Sequence, residues 1–314
     1  MRYELTPRDE LYARISKFQR QLQNQSIEAA LIQENSDLFY FSGSIQRSIL
    51  FIPAQGEPVL AVSGNLQRAG EESRLKYIVP LESQRQLDKL LTDFDLAVSG
   101  RIGLDMDVLP SSLYISMQNE YKNARFINIS DIIRKLRMIK SAWEVDRIRR
   151  ACKMQDEIMQ ETLRIVRVGM TELDIDALLT AYARRRGHQG QFRSRGFNQP
   201  IHYAHILFGK NSAIATYIKG PLGGMGVTPA YPIGSSFNVI TENGPLIVDF
   251  GIGLGGYISD MTRTFVIGRL PRDMEKAHAL SREIKYFLQE QVRPGKSPAD
   301  LYREIISMVE KKGL

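Results

Sequence analysis

The feature that most constrains the fold is an internal repeat at a fixed offset of 126 residues. Residues 166–174 resemble residues 292–300, and in both copies a glycine precedes a hydroxyl residue with an aspartate three positions later. The matched pairs are Gly169 with Gly295, Thr171 with Ser297, Asp174 with Asp300 and Gly187 with Gly313. Two ordinary capped helices could coincide in this way, but agreement at one offset favours a true structural repeat and a pseudo-symmetric fold.

The two copies of this repeat differ in the length of chain after them. The first copy continues for about 80 residues of turns and strands after Gly187, as far as Gly268, whereas a single residue comes after Gly313. We therefore expect the pseudo-symmetric sheet to lack half of its strands, so that the chain is incomplete at its C-terminus. The apolar surface that this would leave uncovered leads us to expect self-association or aggregation of the chain. The expected oligomer is a homodimer.

Composition narrows the class of protein. A length of 314 residues favours two domains, and 43% hydrophobic with 25% charged residues excludes a disordered, collagen-like or coiled-coil chain. The single cysteine, Cys152, excludes an internal disulfide framework and a multi-cysteine zinc site. With no apolar run long enough to span a membrane and no secretory signal, we expect a cytoplasmic protein. A net charge of +7 is modest for this length, so we expect no nucleic-acid partner.

Short apolar runs alternate with helical stretches between residues 27 and 128. The runs are predicted to be strands at 29–33, 48–53, 58–62, 76–79, 101–105 and 125–128, with helices near 82–94 and 111–122. This pattern predicts an α/β domain with a mixed sheet over residues 1–132, followed by a second domain over residues 133–314. In the second domain a long helical region precedes Thr171. Thr171 and Asp174 form a capping box that begins a second helix, and this helix ends at Gly187.

Two aspartates on a predicted hairpin are the candidate metal ligands. Within residues 245–265, two apolar strands flank a glycine-rich bend. With Leu254 and Gly255 as the turn, Asp249 would lie opposite Asp260, with Cβ atoms about 5 Å apart on one face. A bridging divalent cation would relieve the repulsion between the two carboxylates. The alternative is a surface hairpin whose acids are simply solvated.

Three other motifs carry less chemistry. The glycines of residues 251–256 fit a dinucleotide fingerprint, but a strand follows them where a helix is required. A strand over residues 201–208 would point His202 and His205 to opposite faces, so they could not share a metal. The glycine-rich residues 220–226 are either a plain loop or an anion cradle.

The hairpin resembles a known metal-ligand motif. Residues 249–265 read Asp-x-Gly-x-x-x-x-Gly-Tyr-x-Ser-Asp-x-Thr-Arg-Thr-Phe, which resembles the first such motif of the creatinase/aminopeptidase P/prolidase family. Residues 136–144 resemble the Arg-x-x-Lys-Ser-x-x-Glu entry to that family's catalytic domain, and Gly43 with the residues before it resembles a motif of its N-terminal domain. The similarity covers essentially the whole chain.

The resemblance implies an α/β, creatinase-like N-terminal domain with a mixed sheet, followed by an α+β pita-bread catalytic domain that lacks its last strands. It also implies two divalent ions, Mn²⁺, Co²⁺ or Zn²⁺, held by Asp, Asp, His, Glu and Glu. Asp249 would chelate one ion and Asp260 would bridge both. The remaining ligands, including the glutamate that acts as general acid and base, are expected beyond Leu314.

One departure from the family concerns substrate binding. The family carries a substrate-contacting histidine before a tyrosine, about 18 residues ahead of the first aspartate. The counterpart here is Ala230, before Tyr231, or Thr216, before Tyr217. Tyr231 is the candidate substrate-binding residue, and the missing histidine puts a preference for proline in doubt.

The resemblance implies hydrolysis of short peptides at the N-terminal side, as an Xaa-Pro aminopeptidase or dipeptidase. Two alternatives stay open. One is a pita-bread binding module or fragment without catalysis. The other is a creatinase-like C–N hydrolase.

Overall fold

A computed structural model describes residues 4–192, 195, 201–218, 220 and 222–314. The chain forms two compact units. The first comprises Met1–Cys152, Gln189–His202 and Gly253–Ser259, and the second comprises Lys153–His188, Tyr203–Ile252 and Asp260–Leu314. The domain boundary between residues 132 and 133 stays a prediction. In the part of the chain described, no helix combines the length and the apolar character needed to cross a membrane.

The first unit is built around a mixed sheet. Its strands are β1 (Ala29–Ile32), β2 (Ser48–Pro53), β3 (Val59–Val62), β4 (Tyr77–Pro80), β5 (Gly100–Leu104) and β6 (Ala124–Asn128). Its helices are α1 (Arg8–Asn24), α2 (Asn35–Ser42), α3 (Leu66–Glu72), α4 (Leu87–Thr92), α5 (Ser111–Glu120) and α6 (Ser130–Met138), and α7 (Ala142–Ile165) continues into the second unit.

The sheet order is β4-β3-β2-β1-β5-β6 among the residues described. Strand β2 pairs antiparallel with β1 and with β3, whereas β3–β4, β1–β5 and β5–β6 are parallel. The predicted mixed sheet is therefore confirmed. Both faces of the sheet are covered. Along β1, Ala30 and Ile32 join one apolar cluster, while Ala29 and Leu31 join the other.

A cluster of charges lies between the start of α2 and the end of β5. Asp37 is fully buried and is bound by Arg137, at 2.5 Å, and by Arg195. Arg195 also binds Asp107 through Nε and Nη2, at 2.9 and 2.7 Å.

Asp105 is 1% exposed; its Oδ2 accepts a hydrogen bond from the Glu34 N–H, and its Oδ1 has no hydrogen-bond partner among the described residues. Burial, and then the charge of Asp37, raise the pKa of Asp105 to about 6.

The raised pKa of Asp105 predicts a pH-dependent stability. An acid whose pKa is higher in the folded state costs stability as pH rises from its unfolded pKa, and the cost levels off above the folded pKa. Asp105→Asn removes this ionisation. In urea unfolding, the variant should therefore gain about 1.4 kcal/mol relative to wild type between pH 5 and pH 7.5. Asp93→Asn, at an exposed site, is the control and should show no such trend; parallel curves for Asp105→Asn and wild type would contradict the prediction.

The second unit contains the repeat. Its elements are α8 (Glu172–Arg185), β7 (Ala204–Phe208), β8 (Gly244–Leu254), β9 (Tyr257–Ile267), α9 (Arg272–Gln291) and α10 (Pro298–Lys311), with most of α7. The strands form a sheet in the order β7-β8-β9 within the described residues. Helices α8 and α10 are related by the 126-residue offset at both ends.

The backbone confirms that the repeat is structural. Gly169 and Gly295 have φ of 92° and 91°, and Gly187 and Gly313 are also left-handed, at 100° and 71°. Thr171 forms the predicted capping box with Asp174. The second copy keeps only half of that cap: the Ser297 side chain accepts from the N–H of Asp300, whose own carboxylate binds Arg303.

A buried carboxylate holds the start of α8 to two loops. Glu172 is 0% exposed. Its Oε1 accepts from the Phe208 N–H at 2.7 Å and from Asn238 Nδ2 at 2.9 Å. Its Oε2 accepts from Asn211 Nδ2 at 2.6 Å and from the N–H and Oγ of Ser236 at 2.9 and 2.8 Å. Five donors thus compensate for the water that this carboxylate loses on folding.

Glu172→Gln tests this arrangement. The variant replaces one acceptor oxygen by an NH₂ group that faces other donors, so buried hydrogen bonds are lost without replacement. The free energy of unfolding should fall by about 3 kcal/mol in chemical denaturation. Glu304→Gln, at an exposed position of α10, should change it by no more than about 0.5 kcal/mol. A loss of under about 1 kcal/mol for Glu172→Gln would show that the cluster contributes little.

Candidate metal centre

The β8–β9 turn differs from the prediction by one residue. Strand β8 ends at Leu254 and β9 begins at Tyr257, so Gly255 and Gly256 form the turn. Both have positive φ, of 58° and 85°, as a two-residue type I′ hairpin turn requires. The prediction that Leu254 and Gly255 make the turn is therefore wrong, because only the two glycines together fit left-handed φ at both central positions.

The corrected turn moves the pairing along β9 by two residues. Leu254 then faces Tyr257, so Asp249 lies opposite Thr262, and Asp260 lies opposite Gly251. The Thr262 hydroxyl donates to Asp249 Oδ1 at 2.6 Å, in agreement with this register. Because the side-chain period of a strand is two, the shift leaves Asp249 and Asp260 on one face, as diagonal neighbours.

The two aspartates differ in environment. Asp249 is half-buried and Asp260 is exposed. Burial raises the pKa of Asp249, the hydrogen bond from Thr262 opposes that rise, and the negative charge of Asp260 adds to it. The two carboxylates therefore interact electrostatically, and a cation near both would stabilise their ionised forms.

A histidine joins the same row of the sheet. Strand β7 pairs antiparallel with β8, and the register places His205 opposite Asp249. Directly opposed residues share a face, so His205, Asp249 and Thr262 lie side by side on three neighbouring strands. His202 lies outside β7, so the predicted alternation of the two histidines along one strand does not occur. The sequence could not reveal this row, because it depends on the pairing of strands about forty residues apart.

The opposite face of β8 is packed against aromatic and polar groups. Phe250 is fully buried, and its ring lies 5.7 Å from Tyr203 and 6.3 Å from His188 between centroids. The Gln155 side-chain amide donates to the Phe250 carbonyl. These contacts hold β8 on the face opposite to the Asp249 side chain.

The turn end of β9 is held by a buried ion network in the first unit. Arg14 Nη2 donates to the Tyr257 hydroxyl at 2.8 Å, and that hydroxyl donates to Glu144 Oε1 at 3.0 Å. Burial is the main cause that raises the pKa of Tyr257. Glu144 belongs to the Arg-x-x-Lys-Ser-x-x-Glu motif, but its partnership with Tyr257 and Arg14 is not visible in the sequence.

The candidate substrate residue Tyr231 lies on the loop between β7 and β8. Its N–H donates to the Thr228 carbonyl at 2.9 Å, and Ala230 precedes it. Thr216, the other counterpart of the missing histidine, donates through Oγ1 to the Pro232 carbonyl at 2.6 Å. The role of Tyr231 in substrate binding stays a prediction.

The residues described hold no group of three or more His, Cys, Asp or Glu side chains arranged to bind a metal. The two predicted ligands, Asp249 and Asp260, lie on one face of the sheet.

Thr262→Val tests the electrostatics of Asp249. The variant removes the hydrogen bond that favours the ionised carboxylate, so the pKa of Asp249 should rise further. The pH titration of the Asp249 carboxyl ¹³C resonance measures this directly. Thr264→Val, two residues further along β9, is the matched control and should leave that pKa unchanged. An unchanged pKa in Thr262→Val would contradict the register derived from the turn.

Comparisons with known proteins agree with this picture. Residues 14–139 match the Creatinase/Prolidase N-terminal domain. The Xaa-Pro dipeptidase of Pyrococcus horikoshii is 24% identical over 297 residues, which cover 93% of this chain and 75% of the relative.

Solved structures share the fold. The Xaa-Pro dipeptidase from Bacillus anthracis superposes with a TM-score of 0.78 at 18% identity, covering 96% of this chain and 78% of that one. The X-Pro aminopeptidase from Thermotoga maritima gives 0.74 at 22% identity, covering 94% and 78%. The predicted fold class, an α/β N-terminal domain followed by a pita-bread domain, is confirmed.

The family is established by the second part of the chain. Residues 146–314 match Metallopeptidase family M24, and this stretch includes most of α7, all of α8–α10 and both strands of the aspartate hairpin. The predicted resemblance is confirmed as well, since both of its domains are found in the order expected. The chain therefore belongs to metallopeptidase family M24 and carries a creatinase/prolidase-type N-terminal domain.

Proposed function

We propose that the protein is a metal-dependent peptidase that hydrolyses short Xaa-Pro peptides, as a dipeptidase or an aminopeptidase. The observation that carries the proposal is the placement of Asp249 and Asp260 on one face of the β8–β9 hairpin, in a chain of family M24. The names of its relatives, Xaa-Pro dipeptidase above all, support the substrate class.

The donor set suits a divalent cation. Carboxylate oxygens are hard ligands, and the two acids are close enough for the charge of Asp260 to raise the pKa of Asp249. We propose that Asp249 and Asp260 hold two divalent ions, which are Mn²⁺, Co²⁺ or Zn²⁺. Further ligands that are not among the described residues would complete the site. A bound divalent ion lowers the pKa of water and stabilises negative charge that develops on a scissile carbonyl.

The chain's own residues prepare this chemistry. Thr262 fixes the direction of Asp249 by binding one of its oxygens, which leaves the other oxygen for a cation. The partial burial of Asp249 limits competing water and strengthens its interaction with any nearby charge. Tyr231, on the loop before β8, is the proposed substrate-binding residue.

Metal binding tests the two ligands. Calorimetric titration of the protein with Mn²⁺ should detect binding that depends on both aspartates. Asp249→Ala and Asp260→Ala should each weaken it by at least about 100-fold, because each removes a charged ligand. Asp273→Ala, at an exposed site on α9, is the matched control and should bind as wild type does. Equal binding by all four proteins would reject the two aspartates as ligands.

Activity tests the substrate class. With Mn²⁺ present, hydrolysis of Ala-Pro, Ala-Pro-Ala and Ala-Ala should be compared by release of free alanine. Cleavage of the two proline peptides alone supports the Xaa-Pro assignment, and cleavage of Ala-Ala alone contradicts it. Metal binding without any hydrolysis would favour the pita-bread binding module. Hydrolysis of creatine in place of the peptides would favour the creatinase-like C–N hydrolase.

The homodimeric state and the cytoplasmic location remain predictions. Sedimentation velocity of the purified protein tests the first, and a monodisperse monomer would contradict it.

A further inference from the structure

The row of side chains across β7, β8 and β9 places a histidine next to a candidate metal ligand. His205 is the register partner of Asp249. Side chains directly opposite each other in an antiparallel pair have Cβ atoms about 5 Å apart. A small molecule bound at the carboxylates of Asp249 and Asp260 would therefore lie within reach of the imidazole.

The loop before β8 determines how this imidazole is held. Gly234 has φ of +82°, and a Cβ added there would lie 3.2 Å from His205 Nδ1 and 3.6 Å from Cε1. The Nδ1 edge of the ring thus packs directly against the Gly234 backbone. The loop itself is fixed by the Gly234 N–H, which donates to the Gly223 carbonyl at 2.9 Å, and by the Gly226 N–H, which donates to the Gly234 carbonyl at 3.2 Å.

This packing gives Gly234, on the loop before β8, a role beside His205. A side chain at position 234 would press on the imidazole, so glycine allows the loop to form a close wall beside His205. The ring is half-buried. It is therefore both restrained by the wall and accessible from the face of the sheet that carries the two aspartates.

We propose that His205 is a substrate-binding residue of this site, which hydrogen-bonds the peptide group of a dipeptide held beside Asp249. Imidazole suits the task because it can donate and accept hydrogen bonds, as a peptide group also does. The inference rests on the proposed peptidase function. It differs from a third-ligand role: the side chains described contain no three-membered metal group, and the Nδ1 edge of the ring is directed at Gly234.

The experiment separates substrate binding from metal binding. Mn²⁺ affinity by calorimetry, and kcat and KM for Ala-Pro, should be measured for wild type, His205→Ala, His205→Gln and His202→Ala. His205→Ala should raise KM about tenfold, the effect of one lost hydrogen bond, while the Kd for Mn²⁺ stays within about twofold of wild type. His205→Gln, whose amide reaches near the position of Nε2, should recover part of this loss. His202→Ala is the matched control and should behave as wild type does.

Other outcomes overturn the inference in distinguishable ways. An active wild type with an unchanged KM in His205→Ala rejects His205 as a substrate contact and leaves the peptidase function standing. A Kd for Mn²⁺ raised tenfold or more in His205→Ala makes the histidine a metal ligand instead. A wild type that binds Mn²⁺ but cleaves no peptide overturns the proposed function and the inference together. Thermal melting of each variant confirms that it is folded.

Discussion

The second unit depends on the buried carboxylate of Glu172, which forms no ion pair among the residues that the structure describes. Glu172 opens α8, and its carboxylate is saturated by five donors from residues 208, 211, 236 and 238. Removing a carboxylate from water is costly unless its oxygens accept hydrogen bonds. The hydrogen bonds to Glu172 therefore hold the loops that carry residues 211, 236 and 238 against the start of α8. One donor is the N–H of Phe208, the last residue of β7. The acid thus fixes the end of the strand that carries His205, and through β7–β8 pairing it restrains the register beside Asp249.

Register decides what kind of site the sheet can build. The sequence predicted the hairpin, its two aspartates and their common face, but it placed the turn one residue too early. That error moves the pairing along β9 by two residues, which changes the partner of Asp249 from Asp260 to Thr262 and leaves every face unchanged. An error of one in the pairing would have put the aspartates on opposite faces. The face was predictable from period-two alternation, whereas the partner required the φ angles of Gly255 and Gly256.

Local signals predicted most of the remaining fold. The strands of the first unit and the capping box at Thr171 depend on residues a few positions apart, and the repeat depends on short local patterns that recur at offset 126. All of them are found in the structure. Contacts between distant segments were not predictable. Arg195 reaches Asp37 across 158 positions, and Arg14 reaches Tyr257 across 243. Such contacts leave no periodic pattern, because a charged residue in the sequence is equally consistent with a solvated surface. His205 was missed for a related reason, since its neighbour Asp249 lies on another strand.

The environment of Asp249 argues against a hairpin with simply solvated acids. A solvated surface aspartate keeps an ordinary pKa, whereas burial and the nearby Asp260 raise the pKa of Asp249. The Thr262 hydroxyl acts in the opposite direction, since it donates to the ionised form. A group that is partly desolvated, faces a like charge and is nevertheless oriented by a donor is costly for the fold on its own account. A divalent cation would offset both unfavourable contributions, and the same arrangement would bring a bound peptide into contact with His205.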